Sequence, residues 1–263
     1  MEKKKILEVR DLKKHFPLGK GKLAEGKPCV KAVDGVSFDL YEGETLGLVG
    51  ESGCGKSTLG RTILRLHEPT SGEVIFEGED ILHKNRKEMR KLREKMQFIF
   101  QDPYSSLNPR MNVFNILSEP LIAHGIYKRG PELEEYIKNL MEKCGLPSYY
   151  CYRYPHQFSG GQRQRLTIAR AVVKKPDVLI LDDSASALDF ATDAALRKSI
   201  RTMPNNPTVF IVSQRSASLM HADKIIVLDD GKVAGIGTHS ELLKNCEVYR
   251  EIYNSQFKDA KGA

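Results

Sequence analysis

The stretch that decides the fold is Thr45-Leu46-Gly47-Leu48-Val49-Gly50-Glu51-Ser52-Gly53-Cys54-Gly55-Lys56-Ser57-Thr58. It opens with a short uncharged run and ends in a glycine-rich turn. A run of this length bounded by turn residues suits a strand buried on both faces. From Gly50 to Ser57 the spacing is G-x-x-x-x-G-K-[ST], set between that strand and a predicted helix. The order has a chemical reason. Glycines let the backbone curl so that successive N–H groups converge on phosphate oxygens. The helix starting near Lys56 adds its positive end at the same place. Lys56 supplies a full charge for β- and γ-phosphates, and Ser57 offers a hydroxyl to magnesium. Cys54 stands at an unconstrained position of the pattern and is assigned no redox role.

Two further runs read the same way. Val178-Leu179-Ile180-Leu181 ends in Asp182-Asp183, and Val209-Phe210-Ile211-Val212 ends in Ser213-Gln214. Asp182, at the end of a buried strand, is placed to reach a magnesium ion beside the phosphate loop, and Asp183 stands where a water-directing carboxylate is expected. Helical patterns between these runs predict an α/β parallel sheet. Ile6–Arg10, Val36–Leu40 and Val74–Phe76 read as strands of a smaller antiparallel sheet. Residues 83–95, HKNRKEMRKLREK, are charged and helix-forming, with a solvated face. Residues 113–146 are helical with breaks at Pro120, Gly130 and Pro131, so that about 102–158 reads as a helical insert between core segments 1–101 and 159–263. The expected fold class is therefore α/β: a P-loop NTPase core with a RecA-like parallel sheet, a small antiparallel β subdomain and an inserted helical subdomain.

The 263 residues are 40% hydrophobic and 29% charged, which excludes whole-chain disorder. No run approaches the roughly 20 apolar residues a spanning helix needs, and the lysines of the start precede no apolar stretch of a secretory signal. Five cysteines without metal-ligand spacing predict reduced thiols in a cytosolic setting, and Cys144 and Cys151 read as packing residues. The formal charge of +7 permits nucleic acid, an anionic membrane or phosphate ligands.

Phe158-Ser159-Gly160-Gly161-Gln162-Arg163-Gln164-Arg165, followed by a helix and then Asp182, resembles the signature of ATP-binding cassette (ABC) proteins. Ser159, Gly160, Gly161 and Gln162 at a helix start make a second pocket for an anion. The resemblance implies ATP and magnesium as ligands. It implies that Gln101 closes the core lobe and touches magnesium, that Ser186-Ala187-Leu188-Asp189 crosses a dimer interface, and that Phe16 stacks on adenine. It implies head-to-tail pairing, in which Ser159–Gln162 of one cassette closes on the γ-phosphate held by another. Up to about residue 170 the chain resembles the ATPase subunits of oligopeptide and dipeptide importers, in phrases such as FQDPYSSLNPRMNV and RYPHQFSGGQRQR. From about 178 to 257 it resembles the degenerate nucleotide-binding half of heterodimeric multidrug-type exporters.

Two departures from the family pattern bear on catalysis. The usual glutamate after the magnesium aspartate is Asp183, one methylene shorter, and a misplacement on the order of 1 Å can cost about 10²-fold in rate. The usual switch histidine is Gln214, which hydrogen-bonds but carries no proton, and His221 reads as a surface residue. The expectation is a slow ATPase with Asp183, Gln214 and Gln101 in catalytic roles and Ser57, Gln101 and Asp182 around magnesium. It would sit peripherally on the cytoplasmic face of the membrane, with permease subunits, a second and different ATPase subunit and an extracytoplasmic solute-binding protein as partners. Segment 102–113 would receive a coupling helix. An exporter subunit and a soluble ABC ATPase acting on nucleic acid are the rival readings; one cassette, no heptad arm and no zinc-spaced cysteines argue against nucleic acid.

Overall fold

The computed structural model describes residues 3–19, 28–100, 106–182 and 207–258. Gln101, Asp183 and the 186–189 loop lie outside these residues. The chain divides into two compact units, Met1–Arg93 with Thr208–Ala263, and Glu94–Pro207. The helical insert expected over 102–158 falls within the second unit, which also takes in a strand pair and the helix after Ser159.

In the first unit, β1 (Lys5–Pro17), β2 (Cys29–Tyr41), β4 (Ser71–Phe76) and β5 (Glu79–Asp80) form an antiparallel sheet in the order β2-β1-β4-β5. β1 and β2 are each 13 residues long, far longer than their apolar cores suggested. The reason is a bulge. Asp11 takes φ 42° and the register shifts between Val9 and Leu12, so the period-two pattern breaks while the ladder continues. Gly72, at φ 100°, packs into that bulge: a Cβ there would stand 2.5 Å from the Asp11 carbonyl oxygen.

The parallel strands of this unit are β3 (Thr45–Val49) and its neighbours β8 (Thr208–Ser213) and β9 (Lys224–Asp229). Every residue of β3 and β8 is buried, as the uncharged runs predicted. Phe38 of β2 stacks on Phe210 of β8 with centroids 5.5 Å apart, joining the two sheets. Each such fully buried large side chain contributes about 1.5–3 kcal/mol. β9 turns into β10 (Lys232–Gly237) through Asp230 at φ 41° and Gly231 at φ 77°. Two successive positive φ values make the hairpin turn that Asp-Gly favours. Helices α1 (Lys56–Ile63) and α2 (Arg86–Lys95) complete the 1–93 portion. In the charged α2 run Met89 and Leu92 are buried, and the Arg93 guanidinium donates to the Leu64 and Arg65 carbonyls at the end of α1.

The second unit holds the parallel pair β6 (Met96–Ile99) and β7 (Val178–Asp182), with helices α3 (Val113–Ala123), α4 (Pro131–Lys143) and α5 (Gly160–Val172). The sequence reading placed a break at Pro120. α3 instead runs through it, because proline removes one N–H while Val113, Ile116, Leu117 and Leu121 still bury one face. Gly130 and Pro131 do mark a boundary, as N-cap and first residue of α4. Three arginines of α5 reach backbone carbonyls: Arg163 to Pro155, Arg165 to Gly145 and Arg170 to Ser106. Cys144 and Cys151 are buried and unpaired, and burial pushes their thiols up to about 12 and about 11. The C-terminal helices α6 (His239–Asn245) and α7 (Glu247–Lys258) belong to the first unit.

Candidate functional site

Gly50–Thr58 forms the turn between β3 and α1, and its glycines are fixed by their surroundings. At Gly50 a Cβ would lie 2.3 Å from the Leu228 carbonyl oxygen; at Gly55, where φ is 103°, it would lie 1.8 Å from the Ala32 carbonyl oxygen. Neither position accepts a side chain. Lys56 is 6% exposed. Its ammonium donates to the Gly50 carbonyl at 2.9 Å and the Glu51 carbonyl at 2.5 Å. The cation is thus held in the curve of the loop by two backbone oxygens, where phosphate oxygens can exchange for them. Gly55 caps α1 without a side-chain hydrogen bond, so the first-turn N–H groups keep their donor capacity. Glu51, Ser52 and Gly53 are exposed, and Ser57 and Thr58 half-buried. Burial pushes the Cys54 thiol up even with Lys56 beside it, which keeps it a thiol and an unreactive wall residue.

The loop is braced from behind by residues that sequence reasoning missed. The Gly231 N–H donates to the Cys54 carbonyl at 3.1 Å, and the Gly231 carbonyl accepts from the Asp34 N–H at 2.8 Å. Asp34 in turn pairs with His15 at 2.9 Å and Lys31 at 3.4 Å. The hairpin turn and β2 therefore clamp the loop's outer side. The Asp-Gly dipeptide signals the turn, but nothing in the sequence signals its contact with Cys54.

Gln214 belongs to the same unit. Val49 and Ser213 are register partners in the parallel β3–β8 pair, so Gly50 and Gln214 leave the sheet side by side at its C-terminal edge, where α/β sheets place ligands. Gln214 is exposed. Its carbonyl accepts from Gln256 of α7 at 2.7 Å, and Gln256 also accepts from the Ser216 N–H and hydroxyl at 2.9 and 3.0 Å. This brace is a second feature the sequence hid. Phe16, at the end of β1, is half-buried, edge-on to His67 at 5.8 Å with the Lys14 ammonium 4.7 Å from its centroid. His221 is exposed, as expected.

In the second unit Asp182 ends β7 with 0% exposure. Ser159 caps α5. Its hydroxyl accepts from the Gln162 N–H at 3.3 Å, and the Gln162 side-chain oxygen accepts from the Ser159 N–H at 3.0 Å, a reciprocal capping box. Phe158 is buried edge-on against Tyr150 at 5.5 Å. Gly160 and Gly161 are half-buried, and a Cβ on Gly160 would meet nothing within 4 Å. Among the described residues no three His, Cys, Asp or Glu side chains gather as a metal site. The Ser57 hydroxyl, at the start of α1, is an oxygen donor of the kind that magnesium takes beside phosphate oxygens and waters.

Residues 33–186 match the family model described as ABC transporter. The chain is 46% identical over 245 residues to the oligopeptide transport ATP-binding protein OppF of Bacillus subtilis, covering 92% of this chain and 78% of that protein. It is 42% identical over 243 residues to the dipeptide transport ATP-binding protein DppF of Escherichia coli, covering 91% and 72%. Among solved structures it is similar to the dimeric bacterial ABC transporter cassette MJ0796, 27% identical with a TM-score of 0.78 over 89% of this chain and 98% of that one. The same cassette in a dimeric post-hydrolysis state bound to ADP and phosphate is 26% identical with a TM-score of 0.79. An ATP-bound Atm1-family exporter, 24% identical with a TM-score of 0.78, shares the fold over 97% of this chain and 43% of that one.

Proposed function

The chain belongs to the ABC transporter family of ATP-binding proteins, and from that premise we propose that it powers peptide uptake: it binds ATP on the Gly50–Thr58 loop and couples binding and hydrolysis to oligopeptide or dipeptide import. The observation that carries the reading is the buried Lys56 ammonium held by the loop's own carbonyls. The peptide assignment draws on the roles named for the relatives from Bacillus subtilis and Escherichia coli. No helix among the described residues is long and apolar enough to cross a membrane. By analogy with the peptide transport roles named for the relatives, permease subunits would form the path and the chain would work from the cytoplasmic face.

The residues divide the work. The loop N–H groups and Lys56 bind the β- and γ-phosphates, and Phe16 carries the adenine. Ser57, Asp182 and Gln101 are the residues that would hold magnesium, which would offset charge on the phosphates. Gln214 donates its amide to the γ-phosphate. Ser159, Gly160, Gly161 and Gln162 close the site of a partner cassette, so that ATP clamps two cassettes and phosphate release frees them. The Asp183 carboxylate, one methylene short of the usual glutamate, falls back from the attacking water, and Gln214 cannot take up a proton. The site on Lys56 therefore turns over slowly, and a different, fully active ATPase subunit is the favoured partner. A solute-binding protein outside the membrane would deliver the peptide.

Two measurements test this. Lys56→Ala should lower ATP affinity by about 100-fold; unchanged affinity sinks the site. Single-turnover hydrolysis by the chain should be slow and should rise in Asp183→Glu with Gln214→His. An unmodified chain turning over at about 1–10 per second refutes the slow-site reading.

A further inference from the structure

The linker from α3 to α4 and the end of α5 line a half-open cavity of about 600 Å³ that lies wholly within the second unit. Its construction follows from the local sequence. α3 ends with Gly125 at φ 69°, and the Ile126 N–H returns to the Leu121 carbonyl at 2.9 Å, the closing bond of a left-handed helix terminus. That turn carries Ile126 and Tyr127 back beside Leu121. From α4, the Tyr136 hydroxyl donates to the Val173 carbonyl at 2.7 Å, and its ring stacks on Tyr127 with centroids 5.1 Å apart at 27°. One side of the cavity is thus apolar and aromatic and is fixed from two helices.

The other side is cationic. Lys128, Arg129, Lys174 and Lys175 line it against one carboxylate, Glu132. Among the described residues no carboxylate pairs with Lys128, Arg129 or Lys175, and the Lys175 ammonium lies 5.8 Å from the Tyr136 centroid. Lys128, Arg129 and Lys175 are exposed like-charged neighbours whose mutual repulsion a bound anion would lower. A fork-shaped guanidinium beside ammonium groups suits a phosphate. The volume lies in the range of small-molecule sites, roughly 300–1,000 Å³.

We propose that this cavity is a second binding site, separate from the Gly50–Thr58 loop, for a nucleotide-sized phosphate ester whose ring rests on Ile126 and the Tyr127–Tyr136 pair while Arg129, Lys128 and Lys175 take the phosphate. Ligand there would tie the ends of α3, α4 and α5 together. The proposal does not depend on the loop's function.

The test uses the full chain carrying Lys56→Ala, so that binding at the phosphate loop is weakened by about 100-fold. Equilibrium dialysis with adenosine monophosphate should saturate at one site per chain, and binding should weaken with salt. Adding Arg129→Gln with Lys175→Gln should weaken it by about tenfold or more, and Arg129→Gln alone should weaken it less. The same pair placed in the chain with Lys56 intact should leave ATP affinity unchanged, which shows that the fold and the loop survive. Pyrophosphate, lacking a ring, should bind more weakly than the monophosphate. No saturable binding up to about 5 mM, affinity unmoved by the double substitution, or pyrophosphate binding equal to the monophosphate each overturns the proposal. So does binding confined to phosphatidylglycerol vesicles, which would make the cavity a lipid contact.

Discussion

Two glycine-bearing turns of this molecule look alike in sequence and differ in what holds them. In the phosphate loop, Gly50 and Gly55 are demanded by the chain's own packing, because a Cβ at either would strike a backbone carbonyl. In the Ser159–Gln162 turn, Gly160 has open space where a Cβ would be and no positive φ, and Ser159 and Gln162 satisfy each other. The first turn is built from inside. The second has a glycine that its own unit does not require, at a helix start where alanine would serve the fold better. A glycine where alanine suits the helix better leaves room at this helix start, as the proposed approach of a partner cassette's nucleotide would need.

Alanine separates the two cases most sharply. Gly55→Ala forces a Cβ into the Ala32 carbonyl at a left-handed φ and should destabilise the protein by about 3 kcal/mol, read as a lower denaturation midpoint with an unchanged slope. Gly160→Ala should leave stability unchanged or raise it by up to about 1 kcal/mol. ATP-dependent pairing of cassettes, followed by sedimentation, should nevertheless weaken by about tenfold in Gly160→Ala. If Gly160→Ala unfolds the protein as readily as Gly55→Ala, the contrast between the turns is lost.

A smaller effect sharpens the comparison inside α5. Gln164 has 0% exposure, and among the described residues neither its amide oxygen nor its amide nitrogen has a hydrogen-bond partner. An unsatisfied buried amide costs about 1–3 kcal/mol, so Gln164→Met, which keeps length and flexibility, should raise stability by about 1 kcal/mol. A loss of stability would mean that the amide is satisfied when the protein works and that the helix is tuned for that state.

The difference between the turns also explains what was legible from sequence. The phosphate loop could be read because strand, glycines, lysine and helix are contiguous, and its chemistry is local. Its supports could not. Gly231 meets Cys54, and Gln256 meets Gln214, only after the chain has folded, and a one-dimensional pattern does not carry such contacts. β1 and β2 were read short because the bulge at Asp11 interrupts an alternation that the ladder survives. Pro120 was read as a break because a local penalty was weighed without the buried face of α3 that outweighs it. Asp183 and Gln101, read from the family pattern, lie beyond the described residues.

The smallest effect concerns the clamp behind the loop. Burial would raise the Asp34 carboxyl, but the hydrogen bond from His15 and the charge of Lys31 outweigh it and hold it below its usual 3.8. A carboxyl whose folded value is depressed adds stability above its unfolded value and loses it as pH falls through the folded one. The contribution of Asp34 should therefore be intact at neutral pH and disappear below about pH 4. Other carboxylates titrate in the same range, Asp39 and Glu241 among them, so the wild-type acid limb alone cannot isolate it. The difference between wild type and Asp34→Asn can. Denaturation midpoints should differ at pH 7 and converge as pH drops below 4, and the variant's loop should bind ATP more weakly at neutral pH, because the Asp34–Gly231–Cys54 chain of contacts is loosened at its first link. No gap at any pH would show that Asp34 acts through its backbone hydrogen bond to Gly231, which the variant keeps, and not through its charge, leaving the glycines alone to hold the loop in shape.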